Sequence, residues 1–334
     1  MVYYYARRTT PANYISFKKT ATFRNADTAL ASPIALDQTG VHQEFGEPIP
    51  IIKNLYFGGR NVNENICVGY NPGVLRFPEA DAKSFKLWYQ ALGACATTGS
   101  YTHAITESDT LPFFGAHCEL EHATDADSQR RDLLGLQCQR ASVNWSQESP
   151  TSQSFEFLVA KAIAGSDIAR PTGMDNRGAY QAGAATTTFE YNSSGIECTV
   201  LGGNITLTNH LKYQKVNDVY STECVVLHRE YDITLNVFSS GDSLFDIPKE
   251  PEDYAGAITL VQKIYKNTTS DYGQWTFDNL WMEPVHAVKI SEGDYIWAAQ
   301  LRLHNAGSNV GAGTVGTLAM EVKDDLTIAD YEVS

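Results

Sequence analysis

Thr110 to Ile163 reads TLPFFGAHCELEHATDADSQRRDLLGLQCQRASVNWSQESPTSQSFEFLVAKAI, and its alternation decides the fold class. Leu134, Leu136 and Cys138 fall on one face of an extended segment, with Gly135, Gln137 and Gln139 on the other. Past Arg140 the apolar phase moves to Ala141, Val143 and Trp145, which points to a bulge or a bend in the strand. Gln147 to Gln153 carries turn chemistry around Pro150, and Phe155, Phe157 and Val159 then alternate with Ser154 and Glu156. The stretch predicts a long β-hairpin.

A comparable pattern returns at Trp275 to Leu303, with Ser291-Glu292-Gly293-Asp294 as its turn and Tyr295, Trp297, Ala299, Leu301 and Leu303 on one face. A shorter strand precedes each hairpin, Phe113 to His122 and Ala257 to Lys266, and a candidate helix lies upstream of each. The repetition points to an internal duplication and a mainly β fold of two related sandwich or barrel modules. The expected divisions are an arm over 1–32, a first module over 33–170, a linker over 171–185, a second module over 186–325 and a tail over 326–334.

Within the first module, Pro78 to Leu92 predicts a helix. Pro78 suits its first turn, Glu79 and Asp81 its positive end, and Gly93 its close. Phe85, Trp88, Tyr89 and Leu92 would form its buried stripe. Gly307 to Gly316 is a Gly-rich loop before a last strand at Thr317 to Val322.

The chain has 334 residues, 43% of them hydrophobic and 19% charged, which is a folded composition with ample core. No apolar run approaches the ~20 residues that cross a bilayer, and MVYYYARRTT lacks the apolar centre of a signal peptide. Folding in a cytoplasm is therefore expected. The net charge of −14 disfavours ordinary binding to nucleic acid or anionic membrane, which needs Lys and Arg to displace counterions.

Chemistry is sparse. The six cysteines form no C-x-x-C pair and read as reduced, with Cys118, Cys138 and Cys198 on apolar phases. His117 to His122 (HCELEH) is dense in ligand atoms, but a strand sends His117, Glu119 and Glu121 one way and Cys118 and His122 the other. No nucleophile elbow, P-loop, zinc-protease helix or dinucleotide fingerprint occurs. The sequence predicts no enzyme, no cofactor and no metal.

GEPIPIIKNLYFGGRNVNENICVG (residues 46–69) is followed by the helix-like PEADAKSFKLWYQALGA. His103 precedes Leu111-Pro112 at the entry of a strand, then come GLQCQRASVNW (135–145) and GGNITLTNHL (202–211), with its near-terminal Asn209. This order, over Phe45 to Val322, resembles the tail tube (major tail) proteins of tailed bacteriophages and archaeal tailed viruses. The resemblance implies hairpins of neighbouring subunits joined edge to edge into a ring barrel, rings stacked into a tube, and a lumen that conducts DNA without binding it specifically. Its implied partners are other copies (three per ring if the chain is duplicated, six if not) and the tape-measure, tip and terminator proteins of the tail. A membrane is not among them, and the implied location is the virion, after assembly in the host cytoplasm.

For that role, alternation nominates Glu119, Glu121 and Glu156 for the lumen, where acids would repel phosphates. The aromatic and basic arm nominates Tyr3, Tyr4, Tyr5, Arg7 and Arg8, and the long loop Phe45, Tyr56, Phe57 and Arg60, for contacts between subunits or rings. Other readings are the inner tube of a contractile injection system, a carbohydrate-binding or adhesin β protein with Tyr272, Trp275 and Trp281 as a sugar platform, and a hydrolase with paired carboxylates.

Overall fold

The computed structural model describes residues 13–20, 22–24, 35–37, 42–44, 72–81, 85–98, 101–120, 129–147, 151–165, 185–216, 218, 220–239, 243–244, 246–254, 256–265, 271–284, 289–290, 297–306 and 315–324. The arm residues Tyr3, Tyr4, Tyr5, Arg7 and Arg8, the loop residues Phe45, Tyr56, Phe57 and Arg60, Glu121, most of the 171–185 linker, the turn at 291–294 and the 326–334 tail lie outside them.

In the first half of the chain the strands are β1 (Asn13–Thr20), β2 (Ala35–Asp37), β3 (His42–Glu44), β4 (Gly73–Asp81), β5 (Gly93–Thr98), β6 (Thr102–Glu107), β7 (Phe113–Leu120), β8 (Gln129–Ser146) and β9 (Ser152–Ala164). The second half supplies β10 (Ala185–Tyr191), β11 (Ser194–Gly195), β12 (Cys198–Gln214), β13 (Glu223–Ser239), β14 (Ile258–Tyr265), β15 (Tyr272–Met282), β16 (Lys289–Ile290), β17 (Trp297–Asn305) and β18 (Leu318–Lys323). All the pairings are antiparallel and link the strands into one large sheet that does not close. No helix among the described residues is long and apolar enough to cross a membrane.

The hairpin expected at 134–159 is present as β8–β9, paired from Arg131↔Ala164 to Asn144↔Ser152. Its register shifts between Cys138 and Arg140, where the apolar phase of the sequence changes. The bulge inserts Gln139 and so turns both Leu136 and Ala141 inward, each fully buried.

The hairpin expected at 275–303 is present in part: β17 pairs with β15 at Leu280–Met282 and with β16 at Lys289–Ile290, on either side of the expected turn, while the rest of β15 lies between β14 and β18. The partner in length to β8–β9 is β12–β13, paired from Cys198↔Ser239 to Gln214↔Glu223. β12 then lies against β8 from Gly202↔Ser146 to Thr208↔Arg140, so the two hairpins form one four-stranded run, β9-β8-β12-β13. β4 continues it beyond β9, and β17 beyond β13. Strands from the two halves of the chain pair again where β18 meets β6.

Two further expectations are corrected. Residues 13–20 of the expected arm are strand β1, aligned with all of β7, and Phe17 is buried. Of the helix expected over 78–92, residues 78–81 belong instead to strand β4, and among the described residues Phe85–Trp88 (a 3-10 turn) and Tyr89–Leu92 (α1) are helical. Val74, Leu75 and Phe77 suit a strand, and Pro78 falls at the register shift between Phe77 and Ala80, where a missing N–H breaks no ladder. The helical remnant ends at Gly93, whose φ of +109° is open to glycine and strained for other residues.

That short helix plugs the interior. Phe85, Trp88, Tyr89 and Leu92 are buried as the stripe predicted. Trp88 meets Trp275 of β15 edge-on at 5.6 Å and Phe155 of β9 at 6.3 Å, so one side chain joins two parts of the sheet. Tyr231 of β13 and Phe277 of β15 make a second such contact at 5.8 Å. Edge-to-face rings add about 0.5–1.5 kcal/mol each beyond the area they bury.

Gly273 shows how tightly this centre is filled, because a Cβ there would stand 2.3 Å from Cδ2 of Phe85. The Phe85 ring is fully buried and has nowhere to retreat. Gly273→Ala is therefore expected to destabilise the protein by about 1–3 kcal/mol, read as a lowered urea midpoint with an unchanged slope.

Candidate functional site: the polar face of the long strands

The four long strands are held in place by a buried polar clasp. Asn209 of β12, wholly buried, donates from Nδ2 to the carbonyl of Ala91 at 2.9 Å and to that of Cys138, at the β8 bulge, at 3.0 Å. Its Oδ1 accepts from Nε of Arg229 on β13 at 2.8 Å. Arg229 also donates to the carbonyls of Ser108 (3.1 Å) and Leu92 (3.4 Å) and lies 3.5 Å from the Glu107 carboxylate. Glu107 accepts in turn from the Tyr231 hydroxyl and from the backbone N–H of Leu318. Carbonyls left over at the helix end and at the bulge thereby find donors, as buried polar groups must.

With the clasp fixing one face inward, alternation sends the other face to solvent. Ile205, Leu207, Ile233, Leu235, Val143 and Phe155 point into the core. Their neighbours form a ladder of short polar side chains on the opposite face. Ser142 and Ser154, directly opposed on β8 and β9, share a 2.6 Å hydrogen bond. Asn204 on β12 donates to Asn144 on β8 at 2.6 Å, and Thr206 donates to Asn204 at 2.7 Å. Arg76 on β4 meets Glu156 on β9 at 2.7 Å, and Gln300 on β17 reaches Asn236 on β13 at 3.5 Å. A shallow groove crosses β4, β9, β8 and β12, floored by Ser142, Ser154, Asn144, Asn204 and Thr206 with Arg76, Arg140 and Glu156 beside them.

Of the three acids nominated for a lumen, Glu156 lies on this face. It does not present a free negative charge, because Arg76 holds it. Glu119 is a β7 position between Tyr14 and Arg130, away from the β8–β12 seam. The groove is thus mainly a hydroxyl and amide surface, with Arg76, Arg140 and Glu156 as its charged groups. Pairing also limits its chemistry. The Ser142–Ser154 bond is hydroxyl to hydroxyl, with no imidazole or carboxylate in it to activate a nucleophile.

Several titratable groups elsewhere serve the fold. His117, from the HCELEH run, is buried and bonded to Asp132 at 2.6 Å. Cys95, Cys138, Cys198 and Cys224 are in no disulfide, and burial pushes Cys224 up to about 12. Trp275, from the proposed sugar platform, is wholly buried against Trp88, which removes it from any surface. The clasp residues Arg229 and Glu107 escaped the sequence reading, since nothing local marks a charge that will be buried by strands over a hundred residues away. Asn209 stood out only as the near-end of GGNITLTNHL.

The clasp also sets an alkaline limit. Burial first, then the Glu107 carboxylate, raises the Tyr231 phenol far above its usual value, and burial does the same for Tyr213. Above pH ~10 the unfolded chain ionises these phenols while the folded chain keeps their protons. Their contribution is complete below that pH and is lost as pH rises. Urea midpoints are expected to fall between about pH 10 and 12, and Tyr231→Phe to start lower but decline less.

The chain matches no protein-family model and no curated protein.

Proposed function

We propose that this chain is the structural subunit of a viral tail tube, closing with copies of itself into rings that stack around a DNA-conducting lumen. The observation that carries the reading is the side-by-side arrangement of β8–β9 and β12–β13, four long strands with one continuous polar face. One hairpin comes from each half of the chain, which is what a duplicated tube module would supply. The counterpart of β8–β9 is then β12–β13, and three chains would give six pseudo-equivalent hairpins per ring, against six chains if each counts as one unit.

Closure needs free edges, and the sheet offers one. β17 covers β13 only from Asp232 to Ser239, so Glu223 to Glu230 has no second partner among the described residues. Val225 and Leu227 are exposed there. An unpaired edge of this kind invites another strand, and a ring satisfies every such edge at once.

The polar face would line the lumen. Phosphates passing a wall of paired hydroxyls and amides find few unpaired cations and so little to release counterions for. The proposed partners are other copies of the chain, the tape-measure, tip and terminator proteins of a tail, and DNA in transit. The role needs no catalysis and places the protein in the virion. The inner tube of a contractile injection system would use the same geometry with a different cargo.

Concentrated protein, free of nucleic acid, is expected to form rings or hollow tubes in negative-stain microscopy, with a mass per ring of three or six chains. Val225→Lys with Leu227→Lys should abolish them while leaving the monomer's circular dichroism unchanged. A monomer at every concentration, retained on a glycan resin, would overturn the tube in favour of a carbohydrate-binding protein.

A further inference from the structure

We propose that His210, His228 and Glu230 form a binding site for a first-row divalent metal ion of the zinc class, independent of the tube reading. His210 and His228 are direct cross-strand partners on β12 and β13. Glu230 follows His228 by two residues and therefore shares its face. A bulge beside them makes the match. Between His210 and Leu211 the register shifts by one, leaving Leu227 as the extra residue on β13 and holding His228 opposite His210.

The donor atoms are spaced for a shared ion. Nε2 of His210 lies 3.1 Å from one oxygen of Glu230, and Nε2 of His228 lies 3.3 Å from the other. Metal bonds of about 2.0–2.1 Å at a tetrahedral angle set donors roughly 3.3 Å apart. One ligand atom from each of the three residues falls within 4.8 Å of the others. The imidazole rings stack at 3.9 Å and 12°, so both edges look the same way. Nε2 of His210 is sealed from solvent and meets no well-aligned hydrogen bond.

Two imidazoles and one carboxylate are borderline donors that suit zinc, nickel or copper more than magnesium or calcium. Three protein ligands leave a fourth position for water or for a donor from another molecule. The buried pair of His117 with Asp132 is instead closed on itself at 2.6 Å.

The test uses the full chain, untagged and stripped with a chelator. Zinc titration by calorimetry is expected to give one ion per chain, and cobalt to develop the visible absorption of a tetrahedral site. His210→Gln, His228→Gln and Glu230→Gln should each weaken binding by at least about tenfold, since losing even an outer-shell partner costs that much. Zinc should raise the thermal midpoint of the native chain and not that of the triple variant. No saturable binding up to millimolar zinc, or equal binding by the triple variant, would overturn the site. Circular dichroism of each variant separates lost binding from lost fold, and ring formation scored alongside keeps this result apart from the tube's.

Discussion

The structure depends on the seam where β12 lies along β8 and Asn209 locks it. An asparagine without solvent contact has four hydrogen-bonding positions to satisfy. Three of them are spent here on the helix end, the β8 bulge and Arg229. Each partner belongs to a different element, so the asparagine fixes their relation as well as its own. Gly203 tightens the same seam, since a Cβ there would press to 2.9 Å from the Trp145 ring that lies over the β12 backbone. Polar groups buried this way stabilise only when all are met, and they penalise any other register.

From that constraint the two faces follow. A strand that buries Ile205, Leu207 and Asn209 must show Asn204, Thr206, Thr208 and His210 on its other side. The outward residues are short and paired across strands, so this face is hydrophilic without much net charge. An apolar face of such extent would be an aggregation surface, and a cationic one would hold nucleic acid. The composition of the face is thus compatible with the wet, passive wall that the proposed tube would need.

What the sequence made legible was local. Strict alternation in 134–159 exposed the hairpin, and the slip past Arg140 exposed the bulge, because both are written in residues that neighbour one another. The helix over 78–92 was overread because Pro78 with Glu79 and Asp81 imitates a helix start, while β4 pairs with a strand far along the chain, Arg76 with Glu156 being 80 residues apart. The second hairpin is shorter than its alternation suggests, because most of β15 pairs with β14 and β18, and period alone does not name a partner. The same limit hid the arginine of the clasp and the three groups of the proposed metal site. His210 and His228 become neighbours only after a turn and a bulge have set their register. Glu156 was picked out by its phase, but its neutralisation by Arg76 rests on a strand pairing that alternation does not encode.

The central claim is that the two hairpins behave as one sheet through the β8–β12 seam. Residue-resolved amide hydrogen exchange on the native chain tests it most directly. The account predicts that amides of β12 from Gly202 to Thr208 exchange as slowly as those of β8 from Arg140 to Val143, and that Asn209→Ala speeds both sets together. Rapid exchange confined to β12, with β8 and β9 still protected, would show two separately standing hairpins and contradict the account.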